Sequence, residues 1–181
     1  LSLVQNQQNR QINQDRGLGD RIDVVDGSFE DIPFGAQTYD FAWSQDGFLH
    51  SSDRRNVLEE VGRVLKPGGH LVFTDLIQDE DCPPEVLEQV LARFELESLG
   101  TVNFYRESAK ELGWRELEVI DLSGNLVTHY ERLLQELERR HDELLGEFRE
   151  EFLEGLRNGM QSWVTAGKKG NFKWAMFHYQ V

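Results

Sequence analysis

Residues 57–75, VLEEVGRVLKPGGHLVFTD, set a helical pattern directly against a strand pattern. Val57, Val61, Val64 and Leu65 recur at the spacing of one helix face, so the pattern predicts a helix over 51–69. Pro67-Gly68-Gly69 stops that helix and turns the chain. HLVFTD (70–75) then reads as a buried strand. Upstream, YDFAWS (39–44) is a second run apolar enough to be buried on both faces. Strand, helix and strand with short connections predict an α/β fold, a parallel sheet covered by helices.

Working outward, RIDVVDG (21–27) reads as a further strand and 29–34 as a loop with one helical turn. Ser2 with Gln5 has the capping-box spacing, so a helix opens the chain and stops at Gly17. After a polar loop over 76–84, helices are expected at 84–100 and 103–114, then a strand at 115–124. An apolar stripe runs from Tyr130 to Leu156 in a long acidic helix or helix pair that Gly146 can break. The chain closes on a basic turn and a last strand within 163–181.

The 181 residues suit one domain. Thirty-three acids against 19 Lys plus Arg give a net charge of −14, which repels phosphate backbones and anionic bilayers. Nucleic acid and membrane partners are therefore not expected. A salt-adapted host and a merely acidic enzyme both remain open. Cys82 is the sole cysteine, so no internal disulfide forms and a structural zinc site has too few thiolates. No apolar run approaches the roughly 18 residues of a membrane span, and no signal peptide opens the chain, so the expected location is cytoplasmic.

In open α/β sheets, ligands bind beyond the carboxyl ends of the parallel strands. Three such ends are readable: Asp26 to Phe29, Trp43 to Asp46, and Thr74-Asp75. Asp46 and His50, in WSQDGFLH (43–50), would share one face if the segment were already helical at Asp46. An acid beside an imidazole orients the ring and favours its charged form. Spacing alone also fits a structural turn packed on the core. Arg93 fits a bidentate carboxylate contact or a surface pair with Glu97. Trp43 fits stacking on adenine, cation–π attraction to an amine, or a core position. The basic KKGNFK stretch fits an anion contact or a solvated turn.

DGSFEDIPF (26–34), YDFAWSQDGFLH (39–50) and the 57–75 stretch resemble class I S-adenosylmethionine-dependent methyltransferases. WSQDGFLHSSDRRNVLEEV, FTDLIQDEDCPPEVLEQVLARFELESLG, FYRESAKELGW and SWVTAGKKGNFKWAMF extend the likeness over essentially the whole chain. There it resembles the sarcosine/dimethylglycine N-methyltransferases of glycine betaine synthesis. SQDGFLH is also similar to the phosphoethanolamine methyltransferases. The resemblance implies S-adenosylmethionine as cofactor and a small amine as substrate. It implies that Ser28 and Phe29 hold the adenine, with Gly27 permitting the close turn, and that Leu1 and Ser2 lie beside the ribose and adenine. Ser44 and Gln45 would line the methionine end, while Asp46 and His50 face the acceptor amine. Trp43 and Arg93 would contact substrate, Arg93 binding the substrate's carboxylate.

The resemblance also implies a Rossmann-like sheet of order 3-2-1-4-5-7-6, mostly parallel with the last strand antiparallel. The strands readable here correspond to 3, 4, 5, 6 and 7. The glycine-rich first-strand motif is absent from this sequence. The expectation is therefore that residues 1–181 are the C-terminal portion of a single methyltransferase domain. The upstream part of the same protein is an expected partner. Residues from about 76 to 165 would include the acceptor-side helices. Alone, the chain is expected to bind cofactor poorly and to be inactive. Two alternatives stand beside this: another small-molecule methyltransferase, or a cofactor-incompetent piece that joins a partner subunit.

Overall fold

Helix α2 (Arg54–Val64) passes into strand β2 (Leu65–Gln78) with no loop between them. The computed structural model describes residues 2–94 and 96–181, apart from the side chains of Gln89, Arg93 and Phe94. Asp53 caps α2 by accepting from the Asn56 N–H, and Val57, Leu58, Val61 and Val64 are its buried stripe. The expected stop at 67–69 lies inside the strand. Gly68 takes φ 81°, which a glycine adopts without a Cβ clash, and its N–H donates to the Val181 carbonyl. The chain bends there without leaving the sheet, and β2 runs on past Asp75 to Gln78.

Strand β1 (Tyr39–Gln45) pairs parallel with β2, Trp43 opposite Val72. Strand β4 (Phe172–Gln180) pairs antiparallel with β2, Phe177 opposite Phe73. Strand β3 (Arg115–Asp121) pairs antiparallel with β4. The order is β1-β2-β4-β3, so the strand that comes last in the chain lies inside the sheet. This is the expected 4-5-7-6 run with its antiparallel member.

The expected strand at 21–27 does not form. A β-branched run becomes a strand only beside a neighbour that takes its N–H and C=O groups, and among the described residues none flanks it. Asp26 ties this segment to helix α1 (Leu3–Asp15) instead, accepting from Asn6 and Arg10, each at 2.7 Å. β1 also departs from expectation, because Phe41 and Trp43 are 53% and 61% exposed. They alternate onto the face of an edge strand that no described element covers.

A one-turn 3-10 helix, Phe48–His50, comes after β1. Helices α3 (Pro84–Phe94) and α4 (Val102–Glu111) follow β2. Then come α5 (Ser123–Arg139), α6 (His141–Leu145), which ends at Gly146 as anticipated, and α7 (Glu150–Lys168). Among the described residues no helix is long and apolar enough to cross a membrane.

Two cores result. In the first, α2 and α4 cover one sheet face through Val57, Leu58, Tyr105, Phe73, Phe177 and Tyr179. Phe73 is at its centre, stacked on Phe177 at 4.8 Å and touching Phe48 and Tyr105. In the second, Val90, Leu126, Trp163, Ala166 and Phe172 gather α3, α5, α7 and the start of β4. The 3-10 turn belongs to both: Phe48 enters the first core and Leu49 the second.

Phe73→Ala should lower the unfolding free energy by about 3–5 kcal/mol, since the void sits among rings that cannot close over it. Urea unfolding followed by tryptophan fluorescence checks this.

Candidate active site

The chain leaves β1 at Gln45 and turns sharply, because Asp46 takes the left-handed conformation at φ 50°. β2 fixes the turn from its own backbone: the Asp46 N–H donates to the Thr74 carbonyl at 2.9 Å. The side chain is fixed as well. Its Oδ1 accepts from the Thr74 hydroxyl and from the Trp174 indole N–H, both at 2.8 Å. Thr74 and Trp174 stand on one face of adjoining strands, with Trp174 opposite Leu76. A non-glycine residue in this backbone region is strained, and three hydrogen bonds hold it there.

Tyr130 of α5 stands near this carboxylate. Its ring stacks on Trp163 of α7, 5.5 Å apart and nearly parallel. Burial raises its pKa to about 12, and the Asp46 charge adds to the rise. The same ring lines a cavity of about 510 Å³ with Phe152, Leu156 and Met160. Asp46, Trp174 and Tyr130 therefore combine a positioned carboxylate with two aromatic groups, an arrangement that suits a small cation.

His50 lies on the other flank of the turn. It lines a cavity of about 240 Å³ with Glu30, Ser51, Leu96 and Glu97. The Ser51 hydroxyl donates to Glu30, closing the turn against the 28–31 loop. Among the described residues no hydrogen bond or ion pair joins Asp46 to His50. Helical spacing does not apply, because the helix begins only at Phe48, after the left-handed residue.

On the cofactor-side positions, Gly27 is pressed against Pro33, where a Cβ would come within 2.7 Å of the ring. Ser28 accepts from the Glu30 N–H, and the exposed Phe29 ring packs edge-on against Phe48 at 6.4 Å. Ser44 overlies Gly47, and Gln45 is exposed at the strand end. Trp43 is exposed on the open face of β1. Ser2 caps α1, accepting from the Gln5 N–H at 3.3 Å. Leu1 and the Arg93 side chain lie outside the described residues. The structure thus gathers Ser28, Phe29, Ser44, Gln45, Asp46 and His50 around the end of β1. Sequence reasoning misses Trp174 and Tyr130 as site residues. Trp174 lies 128 residues from Asp46, and no local pattern links the two.

A methyltransferase-domain family profile matches residues 1–73. With the sheet order, this gives the chain the α/β fold of the class I methyltransferases. Its relatives narrow the class further. The chain is 51% identical over 179 residues to a sarcosine/dimethylglycine N-methyltransferase of Aphanothece halophytica, covering 99% of this chain and 65% of that protein. It is 43% identical over 180 residues to one of Halorhodospira halochloris, covering 99% and 64%. A crystal structure from Galdieria sulphuraria, provisionally assigned as a sarcosine dimethylglycine methyltransferase, superposes with a TM-score of 0.93 at 35% identity. The chain covers 66% of that structure, and so spans slightly under two thirds of the length of these relatives.

Because Asp46 sits at φ 50°, Asp46→Gly should leave stability nearly unchanged, the lost hydrogen bonds offset by relief of strain. Asp46→Val should cost about 1–3 kcal/mol. Thermal unfolding of the two variants side by side checks the contrast.

Proposed function

We propose that the chain forms the acceptor side of an S-adenosylmethionine-dependent N-methyltransferase that takes sarcosine and dimethylglycine to betaine. The observation that carries this is the Asp46 carboxylate, locked by Thr74 and Trp174 at the end of β1 in a sequence so similar to the betaine-forming enzymes. Helices α3 to α7 form the acceptor-side wall. The net charge of −14 fits an enzyme making an osmoprotectant in a salty cytoplasm.

The residues at the cofactor positions suit the group. Ser28 and Ser44 bring hydroxyls, Gln45 an exposed amide and Phe29 an exposed ring face at one strand end. Ser28 and Phe29 would hold the adenine over the tight turn at Gly27, and Ser44 and Gln45 the methionine end. S-adenosylmethionine supplies an electrophilic methyl on a sulfonium, so the protein contributes chiefly position and charge.

The acceptor amine arrives largely as an ammonium and must present a lone pair. Asp46 attracts the cation and accepts its N–H, fixing the direction in which the nitrogen points. Dimethylglycine carries no N–H once it is neutral, so a base is needed only before the transfer. His50, open to the cavity beside Glu30 on the other flank of the turn, would relay that proton by way of solvent. The product is a fixed cation, which the Asp46 charge and the Trp174 and Tyr130 rings favour. Trp43 and Arg93 complete the substrate contacts in this proposal.

Radiolabelled methyl transfer by the full-length protein, offered glycine, sarcosine, dimethylglycine and phosphoethanolamine, tests the proposal. Sarcosine and dimethylglycine should be methylated, and transfer to phosphoethanolamine alone would overturn it. Asp46→Ala should lower kcat/KM for dimethylglycine about 100-fold or more. Trp174→Phe, which removes one hydrogen bond to the same carboxylate, should cost about tenfold.

A further inference from the structure

Asp75 is fully buried near the carboxyl end of β2, and no step of the proposed methyl transfer uses it. An acid is placed there only with partners that compensate its desolvation. Its Oδ1 accepts from the Leu49 N–H at 3.0 Å, and its Oδ2 accepts from the Tyr105 hydroxyl at 2.6 Å. Arg54, at the start of α2 and 6% exposed, donates to the Leu49 carbonyl at 2.9 Å. The N–H and the C=O of one residue are thus taken by an acid and a base that face each other across the turn. Arg54 is anchored in turn by the Ser98 hydroxyl and carbonyl, at 2.7 and 2.6 Å. Leu49 immediately precedes His50, and its carbonyl belongs to the peptide bond that joins them.

The groups around Asp75 pull in both directions. Burial raises its pKa most, and Asp46 at the end of β1 adds to the rise. The Tyr105 hydroxyl, Arg54 and the Leu49 N–H lower it, and the balance leaves it at about 7. An unfolded aspartate titrates near 3.9. The folded pKa is the higher one, so this group's contribution to stability is fully present below about pH 4. It declines as pH rises to about 7. Retaining an acid here opposes stability at neutral pH. The Leu49 N–H can only donate, and the Tyr105 hydroxyl donates to the ionised carboxylate, so both contacts suit the ionised form.

We infer that Asp75 is a positioning residue: its ionised carboxylate, opposed by Arg54 across Leu49, holds the Phe48–His50 turn and sets where His50 stands. The consequence for catalysis rests on the acceptor-side role proposed for His50, but the clamp itself does not. Backbone amide NMR of this chain reads the clamp directly. The Leu49 amide should show a pH-dependent step near 7 that is lost in Asp75→Asn and kept in His50→Gln. In the full-length enzyme, Asp75→Asn should lower kcat for the amine about tenfold to 100-fold. The Kd for S-adenosylhomocysteine should stay unchanged. Tyr105→Phe removes one donor to the carboxylate and should move the acidic limb of kcat/KM to higher pH.

A Leu49 step that survives in Asp75→Asn, or that vanishes in His50→Gln, overturns the clamp. An Asp75→Asn enzyme with wild-type kcat overturns its consequence for catalysis. Should Asp75→Asn fail to fold, Tyr105→Phe decides, and an unmoved acidic limb then overturns it. If the Leu49 step behaves as expected but no amine is methylated, the clamp stands and the proposed function falls.

Discussion

β2 grips the segment after β1 with two consecutive residues, one on each face of the sheet. Thr74 binds Asp46 through its carbonyl and its hydroxyl, and Asp75 binds the Leu49 N–H from the opposite side. Side chains of a strand alternate, so neighbouring residues reach opposite faces without distortion. The turn between the two grips passes from the sheet face that carries Trp174 to the face that α2 and α4 cover. Its two apolar residues then lodge in different cores. The layout of the site comes largely from this crossing: Asp46 is left beside Trp174, and His50 beside Glu30.

The parts of the fold that were legible in the sequence owe their form to periodic burial. The α2 stripe and the apolar body of β2 show the periods of a helix and a buried strand over enough residues to be unambiguous. The four-strand order came from resemblance, and β1, β2, β3 and β4 occupy it. Where local reading failed, the cause was non-local. RIDVVDG has the composition of a strand, but composition supplies no neighbour. Pro67-Gly68-Gly69 reads as a stop, yet Leu65 paired with Tyr39 and His70 paired with Phe41 and Gln180 carry the chain through the bend.

The candidate residues stand out in the sequence, but their geometry does not. Asp46 and His50 stand out by an i, i+4 spacing that presupposes a helix, and the backbone at Asp46 is left-handed instead. Trp174 could not be read at all, since the hydrogen bond it makes depends on β4 being placed beside β2. Asp75 was visible only as one polar group at a strand end. Its burial, and the opposed Arg54, appear only when α2 and α4 close over the sheet.

The position of β4 has a consequence for how the molecule is made. During synthesis β1 and β2 can pair early, but β3 emerges with no partner strand, since among the described strands it pairs with β4 alone. The ribosome must deliver β4 before the sheet is joined and before an indole reaches Asp46. Nascent chains that stop short of residue 174 would carry an open slot between two strands and an unsecured carboxylate. Such chains are a natural target for chaperones, and the surroundings of Asp46 would be completed in one late step.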